Sequence, residues 1–368
     1  MKFYCILYDT MPYAKDLETI AESKNLNFHH QISNAFTTTS VFSLLTGKLP
    51  SQIFQNGFGY NSEELLSNEP IWCNSILFDH LKKDGWEIRL HNSVWINDVI
   101  YNRQEKNFFY STSYPGGYEK EKKHRWGLKE IENLTIEKTP QSLEMLESEK
   151  KFIKQFQEEK TEKNIFYFII YHHYHAAAAQ SRNHNIAREY MLELMNSWDY
   201  NEENSIFWSF ADHGNFQFID SWCTPPHAIN TWAISKNNIF ADKRPKKLIS
   251  ILDFFETFKD IFQINIKSNE LAQSIYGEQD KERIYFFEDS RSYVDLHKST
   301  TAGAVVCSEW SENYPVSLLQ FSYNKPFKQS KYFSYNLSSL FLEEINYSDK
   351  ITKQNIEKIF NWTKETNE

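Results

Sequence analysis

Three short apolar runs, Phe3 to Tyr8, Ile165 to Tyr171 and Ile206 to Phe210, constrain this chain more than any other feature. Each reads as a buried strand, and each gives way at once to residues that carry chemistry. The first ends in Asp9, the second in His172-His173-Tyr174-His175, and the third in Asp212-His213-Gly214. Between them lie stretches with helical spacing. Thr10 and Pro12 are helix-start signals, and Leu17, Ile20 and Ala21 space a helix within Tyr13 to Ser23. Ile76, Leu77 and Leu81 do the same within Ile71 to Asp84, before Gly85 and a strand-like Trp86 to Leu90. Leu143 to Glu159 and a segment through Ala187 to Trp198 complete the pattern. This alternation predicts an α/β fold with a mostly parallel central sheet covered by helices on both faces. In such sheets ligands collect at the carboxyl ends of the strands.

The remainder is organised differently. Asn92 to Gln141 is polar and turn-rich, with Pro115-Gly116-Gly117 and a charged run from Glu119 to Arg125, and reads as a surface insertion. Leu248 to Phe262 reads as helical. Ile284 to Phe287, Ala304 to Cys307, Val316 to Phe321 and Tyr332 to Tyr335 read as short strands without long helices between them. They predict a small antiparallel C-terminal subdomain. The expected boundaries are 1–275 for the main domain, with 92–160 as a variable insertion, and 276–368 for the subdomain.

Charge and cysteine usage narrow the function classes. The formal charge of -9 comes from 49 acidic against 40 basic residues with no basic block, which excludes an electrostatic footprint for nucleic acid. Cys5, Cys73, Cys223 and Cys307 are widely spaced and read as reduced structural thiols. The apolar run at the N-terminus is too short for a signal peptide, and no window is long enough to span a membrane. A soluble, cytoplasmic protein is expected.

Four polar clusters are candidates for chemistry: Asp9, Thr37-Thr38-Thr39-Ser40, His172 to His175, and Asp212-His213. Taken singly, each has a bland reading: a capping aspartate, a Thr-rich turn, a histidine cluster opening a helix. Together they form a coherent set. Carboxylates and imidazoles from separate strand ends converge on one divalent ion, and a hydroxyl beside that ion becomes a nucleophile. Asp9, Asp212 and His213 supply such ligands, and Thr37 supplies the hydroxyl.

Thr37 to Pro50, with Ser43-Leu44-Leu45-Thr46-Gly47 at its centre, resembles the sulfatase signature, in which the nucleophile lies nine residues before a Thr-Gly pair. Thr37 falls at the nucleophile position. Sulfatases carry Cys or Ser there, with Pro and Arg two and four residues on, whereas this chain has Thr37, Thr39 and Val41. A threonine nucleophile is what the phosphodiesterase, phosphoethanolamine transferase and phosphoglycerol transferase branches of the alkaline phosphatase and sulfatase superfamily use. Asp212-His213-Gly214-Asn215 is similar to that superfamily's Asp-His-Gly motif, and Asp9 resembles its first metal-binding aspartate. Pro226-His227-Ala228 resembles the segment that carries a later histidine.

The resemblance implies a hydrolase or transferase acting on a phosphate ester through a covalent phospho-threonine. The implied metal ligands are Asp9, Thr37, Asp212 and His213. His172, His173, His175 and His227 would bind the substrate or a second metal. The cofactor would be a divalent ion, Zn, Mn, Ca or Mg, at one site with a second possible, and the partner a small-molecule or glycan phosphate or sulfate ester. Tyr171 stands where the family often places an Asp, which argues for one metal rather than two. Two alternatives stay open: a sulfate-ester hydrolase working without formylglycine, and an inactive relative that binds an anionic glycan or headgroup.

Overall fold

The computed structural model describes residues 1–34, 37–49, 76–93, 108–114, 117, 138–175, 184–214, 231–238, 246, 248–265, 269 and 271–276, together with strands at 283–289, 301–307, 316–322, 331–336 and 341–344. The chain divides into two compact units. The first comprises Met1–Phe28, Asn68–Gln217 and Trp232–Lys243, and the second His29–Ser67, Phe218–Thr231 and Arg244–Glu368.

The first unit is built on β1 (Lys2–Tyr8), β3 (Glu87–His91), β4 (Phe109–Ser111), β5 (Ile165–Tyr171), β6 (Ser205–Phe210) and β7 (Thr231–Asn237, from Trp232 on), in the order β4-β3-β5-β1-β6-β7. All pairs are parallel except β6 with β7. Its helices are α1 (Lys15–Ser23), α3 (Ile76–Lys83), α4 (Pro140–Glu158) and α5 (His184–Ser197). Every residue of β1, β5 and β6 is buried, as expected of strands covered on both faces. Aromatic stacking fixes their register. The Tyr4 ring lies 5.0 Å from that of Tyr167 on β5 and 4.8 Å from that of Phe207 on β6. Such pairs contribute about 1 kcal/mol each beyond area burial. Lys2 Nζ donates to the Phe156 carbonyl at 2.7 Å, so a cation meets the last turn of α4, where the helix dipole is negative. The strand ends thus leave Asp9, His172 and Asp212 at one edge of a rigid core.

The second unit holds β2 (Asn27–Ile32, from His29 on), β8 (Leu248–Ser250), α2 (Thr37–Thr46) and α6 (Asp253–Phe262). Strands β2 and β8 pair in parallel. It also holds a five-stranded antiparallel sheet, in the order β13-β12-β11-β10-β9, of β9 (Arg283–Asp289), β10 (Thr301–Cys307), β11 (Val316–Ser322), β12 (Lys331–Asn336) and β13 (Phe341–Glu344). The α/β class with a mostly parallel sheet and a small antiparallel C-terminal sheet is therefore observed. Among the described residues no helix is long and apolar enough to cross a membrane.

Two readings need correction. Leu248 to Phe262 is not one helix: Leu248–Ser250 is a strand, and the helix starts at Asp253, whose Oδ2 accepts the Ser250 N–H at 2.9 Å and so fixes the turn between them. A short run such as Leu-Ile-Ser-Ile-Leu has no periodicity that separates strand from helix. The segment after Asn92 is not wholly a surface insertion either. Phe109–Ser111 pairs in parallel with β3, and Asn92, Ser93 and Ser113 are buried.

Candidate metal centre

The site is assembled from the ends of β1, β5 and β6 in the first unit. One carboxylate oxygen of Asp9, one ring nitrogen of His175 and one of His213 form a group whose potential ligand atoms all lie within 4.8 Å of one another. Asp9 and His213 are buried, and His175 is half-buried.

Thr10 ties the cluster together. Its backbone N–H donates to Asp212 Oδ1 at 2.9 Å, and its hydroxyl donates to Asp9 Oδ1 at 2.9 Å. Thr10 Oγ1 also lies 2.9 Å from His175 Nδ1 and 3.4 Å from His213 Nε2. Thr10 adopts φ +64°, a left-handed conformation that β-branched residues rarely take. Helix α1 begins only at Lys15, so Thr10 is a site residue rather than a helix start.

The histidines are oriented by what their second nitrogens meet. The His213 Nδ1–H donates to the Gly214 carbonyl at 2.8 Å, which leaves Nε2 as the basic nitrogen, 3.4 Å from Asp212 Oδ2. His172 is placed differently. Its Nδ1 donates to Asp9 Oδ2 at 2.8 Å and its Nε2 to the Asn92 carbonyl at 3.1 Å, so both nitrogens act as donors. His172 thus orients the Asp9 carboxylate. Burial works against its charge, but the Asp9 hydrogen bond raises its pKa. Burial likewise opposes ionisation of Asp9, and His175 and His172 together overcome it and hold that carboxyl well below its usual range.

His173 points the other way. It is fully buried, its ring edge-on to Tyr190 at 5.9 Å, and neither nitrogen has a hydrogen-bond partner among the described residues. Burial pushes it down to about 4. Thr37, in the second unit, is half-buried and is the first residue of α2, at the positive end of the helix dipole. Thr46-Gly47 ends that helix. Gly47 has φ +67°, and a Cβ there would sit 2.6 Å from Phe255 Cδ1, so both backbone and space require glycine. His227 lies outside the described residues.

A buried network behind His172 was not foreseen. Glu149, on the otherwise apolar face of α4, accepts from Asn92 Nδ2 at 2.7 Å and Ser113 Oγ at 2.6 Å, and meets His91 Nε2 at 3.0 Å. Since Asn92 is also the residue whose carbonyl holds His172, the network reaches Asp9. The one signal in the sequence was a lone Glu in the stripe Met145, Leu146, Glu149, Ile153, Phe156.

A carboxylate and two imidazoles from three strand ends form a donor set that suits a divalent ion. The electrostatics agree. Two buried carboxylates, Asp9 and Asp212, each accept from Thr10 at 2.9 Å, and two buried negative charges so close together favour a cation beside them.

Comparison with solved structures places this architecture. A protein in the alkaline phosphatase superfamily from Vibrio parahaemolyticus is similar with a TM-score of 0.59 at 10% identity, over 96% of this chain and 84% of that one. A putative sulfatase from Bacteroides thetaiotaomicron is similar with a TM-score of 0.58 at 12% identity, over 99% of this chain and 92% of that one. The lipoteichoic acid synthase LtaP from Listeria monocytogenes is similar with a TM-score of 0.50 at 10% identity, over 100% and 90%. These likenesses show the fold, an alkaline phosphatase-like α/β architecture. No protein-family model and no curated protein sequence matches the chain.

Proposed function

We propose that the protein is a metal-dependent hydrolase or transferase of phosphate esters that works through a covalent phospho-threonine at Thr37. The observation that carries this reading is the convergence of Asp9, His175 and His213 at three strand ends. These residues, with Asp212 against His213, would hold one divalent cation. Bound there, the ion supplies positive charge to the phosphate oxygens and favours the ionised form of a hydroxyl.

The chain's own groups account for the rest. Thr37 Oγ attacks phosphorus, the bond from phosphorus to the ester oxygen breaks, and the alcohol leaves with a proton. Water or an acceptor alcohol then attacks the phospho-threonine, and the Thr37 hydroxyl is restored. The N-terminus of α2 favours the phosphoryl anion on Thr37. His227 is the proposed contact for the non-bridging oxygens, one well-placed donor contributing roughly 3 kcal/mol in the transition state. Among the fold relatives, one is a lipoteichoic acid synthase and one a putative sulfatase. A threonine that cannot become formylglycine favours phosphoryl over sulfuryl transfer.

Turnover of an aryl phosphodiester by the metal-loaded protein tests the proposal. Thr37→Ala is expected to abolish it while circular dichroism and metal content stay unchanged. Retained turnover in that variant would remove Thr37 as the nucleophile.

A further inference from the structure

We infer that the cleft between helix α4 and the residues following β4 binds a vicinal-hydroxyl group, that is, a sugar or polyol unit. Its role as the subsite for the alcohol part of the ester rests on the proposed function; its capacity to bind does not.

The cleft has a volume of about 320 Å³, at the small end of the roughly 300–1,000 Å³ of ligand sites and sufficient for one such unit. One wall is a single stripe of α4: Glu144, Ser148, Lys151 and Gln155, spaced i, i+4, i+7 and i+11. Thr112, Ser113 and Tyr114, at the carboxyl end of β4, form the other. Ligands gather at that end of parallel strands. The Lys151 ammonium and the Glu144 carboxylate make no hydrogen bond or ion pair with any described residue.

The lining selects a chemistry. Lys151 and Glu144 cancel in charge, so an anion gains at one end what it loses at the other. Donors and acceptors alternate with hydroxyls, a pattern matched by a neutral group that both donates and accepts. Only Tyr114 and Phe152 offer ring surface, and no apolar wall is long enough for an acyl chain. Both rings rest on histidines. Phe152 lies 4.6 Å from His91, and Tyr114 lies 6.1 Å from His172, whose Nδ1 holds Asp9. A group in the cleft therefore sits one side chain away from the residue that orients the Asp9 carboxylate.

Ligand-observed NMR on the whole chain, with glucose, myo-inositol and glycerol as probes and the monohydric alcohols hexanol and butanol as controls, tests the inference. At least one hydroxylated probe is expected to bind and the controls are not; glucose against glycerol separates a sugar from a simple polyol. Ser148→Trp, which fills the cleft, and Lys151→Ala, at an exposed position, are each expected to weaken binding about tenfold, the loss of one charge-assisted hydrogen bond. Binding by none of the three probes, or binding undiminished in both variants, overturns the inference. Probe binding with no phosphodiester turnover under any metal would uphold the cleft and remove the proposed function.

Discussion

Thr10 shows how much a single residue carries. Its left-handed backbone costs on the order of 1–3 kcal/mol and persists where the surroundings over-determine it, here through the hydrogen bonds to Asp212 and Asp9. Thr10→Gly relaxes the backbone but deletes the hydroxyl. It is expected to leave urea stability nearly unchanged while weakening divalent-metal affinity about tenfold or more, as loss of a residue that orients ligands does. Unchanged metal affinity would show that Thr10 orients nothing. His173 supplies the opposite case, a buried ring without partners. His173→Phe is expected to raise stability by about 1 kcal/mol in urea denaturation, since it removes two unsatisfied nitrogens and keeps the contact with Tyr190. Asp9, Asp212, His213 and the His172 to His175 string were legible because each directly follows an apolar strand. Thr10 was not, because its importance lies in a φ angle, and sequence alone did not separate the inward His173 from its neighbours His172 and His175.

At the scale of elements, α4 links the core to the site through one buried carboxylate. Glu149→Gln keeps the size but replaces an acceptor oxygen with a donor against Asn92, Ser113 and His91. It is expected to cost about 2–3 kcal/mol of stability, the range for breaking hydrogen bonds to a buried charge, and to weaken metal binding by loosening the Asn92 carbonyl behind His172. Loss of stability with metal affinity intact would confine Glu149 to a structural role. Gly47→Ala, at the end of α2, is expected to cost about 3 kcal/mol from φ strain and overlap with Phe255. The uniformly apolar strands were readable almost to the residue. Strand β2 was not, because His29, His30 and Gln31 are buried polar residues there, with the His29 Nδ1–H held by the Lys246 carbonyl at 2.5 Å. No hydrophobic period marks such a strand.

For the whole molecule, the buried histidines set opposing pH limits. Burial pushes His29 and His173 down to about 4, so the stability they contribute is present above the unfolded value near 6.5 and lost as pH falls toward 4. His172 is raised, so its contribution is full below about 6.5 and lost as pH rises through its folded value. Metal-free protein is therefore expected to be most stable near neutrality, and His172→Gln should flatten the alkaline limb of stability against pH. The unit boundaries were not visible in the sequence, because the second unit gathers segments that are far apart along the chain. Everything proposed for the function depends on Asp9, His175 and His213 holding an ion. Calorimetric titration of chelator-stripped protein with zinc and manganese tests this most directly: one saturable site is expected, lost in both Asp9→Asn and His213→Ala, whereas no binding, or binding undiminished in those two variants, would contradict it.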